Sequence, residues 1–172
     1  MLVAGYHKNL ENGFWGLSNA TQNLVNLYGQ TGGDMTIDGH SRGGMITGNA
    51  LDYLVKEGFF GQNTTVNLFG SAYNAQDAAN HLNVLTNGTG QIYQSTHDYD
   101  FVGRFLGWNP GTGGMIPENS SGIVQFFKTF GGTATVHNCY GPKDPKCPEP
   151  DAFGKNFVPP ARVPVAPNKG RK

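Results

Sequence analysis

The stretch MTIDGHSRGGMITGNALDYLVKEG, residues 35–58, constrains the fold more than any other part of the chain. A β-like run at 35–38 meets a helix-patterned run through one tight turn, Gly39-His40-Ser41-Arg42-Gly43. Met45, Leu51, Leu54 and Val55 recur as one helical face, and Gly58 supplies a stop. A chain that passes this sharply from strand to helix must lay the helix back on the strand it left, which begins a βαβ unit. The alternation continues on both sides. Residues 17–29 read as a helix with Ser18 as N-cap, broken by QTGGD. TTVNLFGSA reads as a strand ending at Gly70, NAQDAANHLNVL as a helix, and GQIYQST as a further strand. MLVAGY and TATVH are short strand candidates towards the two ends. The expected fold is α/β: a mostly parallel sheet flanked by helices, with right-handed crossovers, in one domain over residues 1–147. Residues 107–122 read as a long Gly/Asn/Pro/Ser-rich loop. The proline-dense stretch 148–172 ends in a basic cluster and reads as an extended tail, not a second domain.

Bulk properties narrow the function classes. A length of 172 residues suits one domain with its own core. Twelve basic and twelve acidic residues cancel, so no net field argues for nucleic acid or an anionic membrane. Charged residues are only 14%, but apolar residues are well spread, as in a loop-rich globular chain rather than a disordered one. No run approaches the ~20 apolar residues that span a bilayer. MLVAG is too short for a secretory signal and lacks a basic flank, so no signal peptide is expected there. Cys139 and Cys147 bracket a proline-rich loop. A disulfide there is worth about 2–3 kcal/mol, and two reduced thiols fit the sequence equally well.

The chemistry centres on Ser41. A Gly-x-Ser-x-Gly turn carries meaning when a strand precedes it and a helix follows, as here. Gly39 and Gly43 are expected to let strand and helix pass the strained serine without a Cβ clash. The helix then aims its N-terminal amides at the site, with the Arg42 amide as an oxyanion donor. A serine hydroxyl needs a base, and the base an orienting acid, in the chain order Ser, acid, His. Asp98 and Asp100 follow the strand GQIYQST, and His137 follows TATV. His7, His40, His81 and His97 precede the acid, adjoin the serine, or sit in a helix or on the acid's own segment. The plainer alternatives are a serine serving a glycine turn and a surface-loop histidine. A metal site at His97, Asp98 and Asp100 is a further reading, but its spacing matches no specific metal motif.

GHSRGG (39–44) resembles the G-H-S-L-G-G elbow of the class 3, fungal-type lipases of the α/β-hydrolase fold. THDYDFVGRFLG (96–107) is similar to that family's T-H-x-x-D-x-V-P-R-L-P segment, and HNCYG (137–141) to its H-x-x-Y segment. The resemblance runs in segments over residues 34–141 and implies a minimal α/β-hydrolase. It implies Ser41 as nucleophile, Asp100 as acid with Asp98 as the alternative, and His137 as base. It further implies a lipid or phospholipid acyl ester as substrate and no cofactor. Arg42 departs from the usual Leu and places a permanent cation beside the serine, either in a surface salt bridge or against a substrate phosphate or carboxylate. Gly103 and Gly107 stand where the family has prolines. The second oxyanion donor is expected near Tyr6 and His7, and the aromatics of FWG and FFG either line an acyl site or belong to the core.

The layout also looks like the C-terminal toxin domains of bacterial polymorphic and contact-dependent inhibition systems. That likeness implies a secreted or delivered effector with an immunity protein as partner. A non-catalytic binding module on a degenerate hydrolase scaffold is the competing class.

Overall fold

The computed structural model describes residues 17–114, 136–140 and 159–169. Helix α1 spans Asn19–Thr31. The Ser18 hydroxyl accepts from the Thr21 amide at its start, and Gly32 closes it in the left-handed region at φ 62°. Strand β1 (Thr36–His40) leads into helix α2 (Arg42–Lys56), then strand β2 (Thr65–Phe69). Helix α3 (Ala75–Leu85) is capped by the Asn74 side chain, which accepts from the Gln76 and Asp77 amides. Strand β3 (Gln91–Ser95) follows, then a single wide turn of π-helix, Val102–Leu106. Val136–Asn138 forms one 3₁₀ turn, and Val163–Pro164 forms strand β4.

The sheet order is β1-β2-β3-β4, with the first three strands parallel and β4 antiparallel to β3. This is an α/β fold with a mostly parallel sheet and flanking helices. Its register follows from hydrophobic patterning. Ile37, Val66 and Ile92 are cross-strand partners, and these residues with Leu68 point to one face. On that face they meet Leu51 and Leu54 of α2, Ala78, Ala79, Leu82 and Leu85 of α3, and Val25 and Tyr28 of α1 in one continuous core. The opposite face carries Thr36, Asp38, Asn67 and Tyr93, which are exposed or half-buried. Among the described residues, no helix is long and apolar enough to cross a membrane.

Two sequence expectations change here. TATVH was expected as a strand, but Val136 and His137 lie in the 3₁₀ turn, and 133–135 fall outside the described residues. The stretch 148–172 was expected as a tail apart from the domain. Its described part is extended, yet it is pinned to the sheet edge. Val163 and Pro164 sit in register with Gln94 and Tyr93, and the Val165 amide donates to the Ile92 carbonyl. Arg162 lies over the Tyr93 ring at 3.7 Å, and Gln76 Nε2 donates to the Ala166 carbonyl at 2.7 Å. A proline is admissible in β4 because an edge strand has a side that needs no ladder donor. The candidate strand MLVAGY lies outside the described residues.

Candidate active site

Ser41 alone separates β1 from α2, with φ 55° and ψ −119°, a backbone state that side chains other than glycine rarely adopt. Tertiary bonds hold it there. Its amide donates to the Phe69 carbonyl at 3.1 Å, and its own carbonyl accepts from Gly44 and Ala72, each at 3.1 Å. The crowded glycines of the turn are Gly39 and Gly44, not the expected Gly39 and Gly43. A Cβ at Gly39 would sit 3.0 Å from the Gly44 Cα, as expected, but one at Gly43 would meet nothing within 4 Å. The second tight position is Gly44, where a Cβ would lie 2.1 Å from the Ser71 hydroxyl oxygen. Gly44→Ala is therefore expected to cost about 1–3 kcal/mol by overpacking. Gly43→Ala, inside the helix with open space for the Cβ, should be neutral or stabilising by up to about 1 kcal/mol. Urea unfolding of the two variants checks the contrast, and equal midpoints would refute it.

His137 stands between Ser41 and Asp100. Its Nε2 lies 2.9 Å from Ser41 Oγ, and its Nδ1 lies 2.9 Å and 3.0 Å from the two Asp100 carboxylate oxygens. A carboxylate only accepts, so Nδ1 carries the proton and Nε2 presents its lone pair to the serine hydroxyl. Asp100 is fully buried. Its Oδ1 accepts from the Val102 and Gly103 amides at 2.8 Å and 3.1 Å, and its Oδ2 accepts from the Tyr140 hydroxyl. Burial alone would raise the Asp100 pKa. Hydrogen bonds and charge from His137, with bonds from Tyr140 and Gly103, outweigh it and hold the carboxyl below its ordinary range. Burial and the adjacent carboxylate push the Tyr140 phenol well up, so it stays a donor. Gly70 makes the close approach possible. It has φ 50°, and a Cβ there would lie 2.3 Å from Asp100 Oδ2 and 2.6 Å from the Tyr140 hydroxyl.

Further bonds fix the turn that carries His137. The buried His97 ring donates through Nε2 to the Cys139 carbonyl, and the His97 amide donates to the Tyr140 hydroxyl at 3.3 Å. Burial lowers the His97 pKa, partly offset by the Cys139 carbonyl and the Asp100 charge. In the unfolded chain this imidazole takes up a proton near pH 6.5. The fold therefore keeps its full share of stability above about pH 6.5 and loses it as pH falls towards the depressed folded pKa. Urea midpoints should be flat on this account from about pH 7 to 8 and drop below about 6.5. His97→Gln, which keeps an amide donor, should make the drop shallower, and an unaltered slope would count against this assignment.

The other predicted residues lie elsewhere. Asp98 is exposed and makes no bond to His137; a Cβ at Gly111 would lie 2.0 Å from its Oδ1. His97, Asp98 and Asp100 face three different environments. Among the described residues, no cluster of three or more His, Cys, Asp and Glu side chains has the placement to hold a metal. Arg42 opens α2, is exposed, and joins none of the ion pairs among the described residues. Its amide belongs to the first helical turn, where N–H groups have no partner within the helix. Tyr6, His7 and the aromatics of FWG lie outside the described residues, whereas Phe59 and Phe60 of FFG are exposed. Cys139 is disulfide-bonded, and the chain's other cysteine, Cys147, lies outside the described residues. Sequence reasoning gave no role to Tyr140 or Gly70. The tyrosine was visible as the last position of the H-x-x-Y resemblance, whereas Gly70 read only as a strand end. Comparison of the chain with protein-family models, curated proteins and solved structures finds no match.

Proposed function

We propose that this chain is a serine hydrolase of the α/β-hydrolase type that cleaves carboxylic esters through an acyl-enzyme. One observation carries the reading: the unbroken hydrogen-bonded line from Asp100 through His137 to Ser41 Oγ. In this mechanism His137 takes the Ser41 proton as Oγ attacks the ester carbonyl, and Asp100 holds the imidazole tautomer and stabilises the imidazolium. The tetrahedral oxyanion is met by the Arg42 amide at the N-terminus of α2. His137 returns the proton to the departing alcohol, and water then releases the acid by the same steps.

The resemblance to class 3 lipases makes lipid or phospholipid acyl esters the substrate class. The exposed Arg42 guanidinium suits a substrate that carries a phosphate or carboxylate near the scissile bond. The likeness of layout to bacterial toxin domains adds to this proposal a delivered effector with an immunity protein as partner. A fluorophosphonate probe tests the chemistry, because it reacts only with an activated serine. Labelling that disappears in Ser41→Ala, together with hydrolysis across a panel of p-nitrophenyl esters and phospholipids, is the expected result. A folded protein that neither labels nor hydrolyses any ester would instead be a binding module on the same scaffold.

A further inference from the structure

We infer that His40 is a positioning residue for the base. His40 is the last residue of β1 and immediately precedes Ser41. Its Nε2 lies 2.7 Å from the backbone carbonyl of His137. A carbonyl only accepts, so His40 donates through Nε2–H. Its ring also stacks on the His137 ring, with centroids 4.8 Å apart and planes 30° apart, and lies 5.5 Å from the Tyr140 ring. His40 thus grips the turn at 136–140 at both ends, by one bond to its backbone and by two ring contacts.

This grip matters because of how His137 reaches the site. The base sits on a short 3₁₀ turn, which has no strand ladder to fix it. Besides the Cys139 disulfide and the His137 ring's own bonds to Asp100 and Ser41, three hydrogen bonds donated by side chains among the described residues tie that turn down. Tyr140 bonds to Asp100, His97 bonds to the Cys139 carbonyl, and His40 bonds to the His137 carbonyl. The first two tie the turn to the segment carrying the acid. Of these three, the third runs from the strand that carries the nucleophile, so it helps set the distance between Ser41 Oγ and His137 Nε2. Proton transfer depends steeply on that distance, and a displacement near 1 Å can cost on the order of 10²-fold in rate.

This inference rests on the hydrolase reading for its kinetic consequence, so its test has one arm that needs no turnover. In the full chain, His40→Phe keeps a ring to stack but removes the donor, and His40→Gln restores an amide N–H near the place of Nε2. With a soluble p-nitrophenyl ester, His40→Phe is expected to lower kcat on the order of 10-fold with KM unchanged, and His40→Gln to recover most of the loss. The second arm follows the His137 Nδ1 proton by NMR. That downfield resonance should be present in the parent and in His40→Gln, and lost or broadened in His40→Phe. A parent that hydrolyses nothing would sink the hydrolase reading while leaving the resonance to decide the role of His40. The inference is overturned if His40→Phe keeps both the resonance and the parental kcat. It is equally overturned if His40→Gln falls as far as His40→Phe, because the ring would then act by packing alone.

Discussion

His137→Ala should lower kcat for ester hydrolysis by roughly 10³-fold or more, Ser41→Ala by a similar factor, and the double variant by little beyond either. The reason is geometric. His137 is the one group that touches both partners, 2.9 Å from the serine oxygen and 2.9 Å from the carboxylate. Without it the serine keeps a proton that no other described side chain is placed to take. Without the serine the base has nothing to deprotonate. Each loss therefore disables one step, and removing both cannot disable it twice. The residual rate would come from binding and from the amides at the start of α2. Steady-state kinetics on a soluble ester measures this directly. Additive losses in the double variant would mean the two side chains act independently, and the triad reading would fall.

Asp100→Asn should reduce both activity and stability, and by separable amounts. In a Ser-His-Asp arrangement this exchange costs about 10⁴-fold in kcat, because the imidazole loses its fixed tautomer and the charge that stabilises its protonated form. The stability effect comes from the local count of donors. One carboxylate oxygen accepts from Val102, Gly103 and His137, and the other from Tyr140 and His137. An amide offers one accepting oxygen and turns an NH₂ group towards the remaining donors. In a fully buried position, a donor left unpaired costs about 1–3 kcal/mol. Chemical denaturation and kcat measured together separate the two effects. A variant of parental stability would show that the site relaxes around the amide, and one of parental activity would remove Asp100 from the mechanism. The depressed Asp100 pKa adds a pH corollary. Its contribution to stability is complete above the ordinary carboxylate range and is lost as pH falls through the folded value.

The hydrogen-bond geometry also explains why Asp100 rather than Asp98 faces His137, although the two stand a single residue apart. The chain after β3 winds into the π turn Val102–Leu106, whose first amides close on the carboxylate of Asp100. Asp98, on the solvent side of the same segment, meets no such donors among the described residues. Neither charge nor hydropathy distinguishes these two aspartates in the sequence. What separates them is backbone direction, and the x-Val pattern after Asp100 reported it only through a resemblance.

The strand-helix alternation, the caps at Ser18 and Asn74, and the helical faces of α1, α2 and α3 were legible in the sequence, because each depends on residues a few positions apart. The glycine-flanked turn at Ser41 was legible for the same reason. Tertiary structure alone decided that Gly44 rather than Gly43 bears the steric load, since the atom it must avoid belongs to Ser71. It also decided that His137 arrives on a 3₁₀ turn, that Tyr140 and Gly70 close around Asp100, and that the proline-rich stretch near Val163 extends the sheet. Those contacts join residues from about 30 to 100 positions apart. Local preference carries no record of such pairings, which follow only from packing the whole chain around one core.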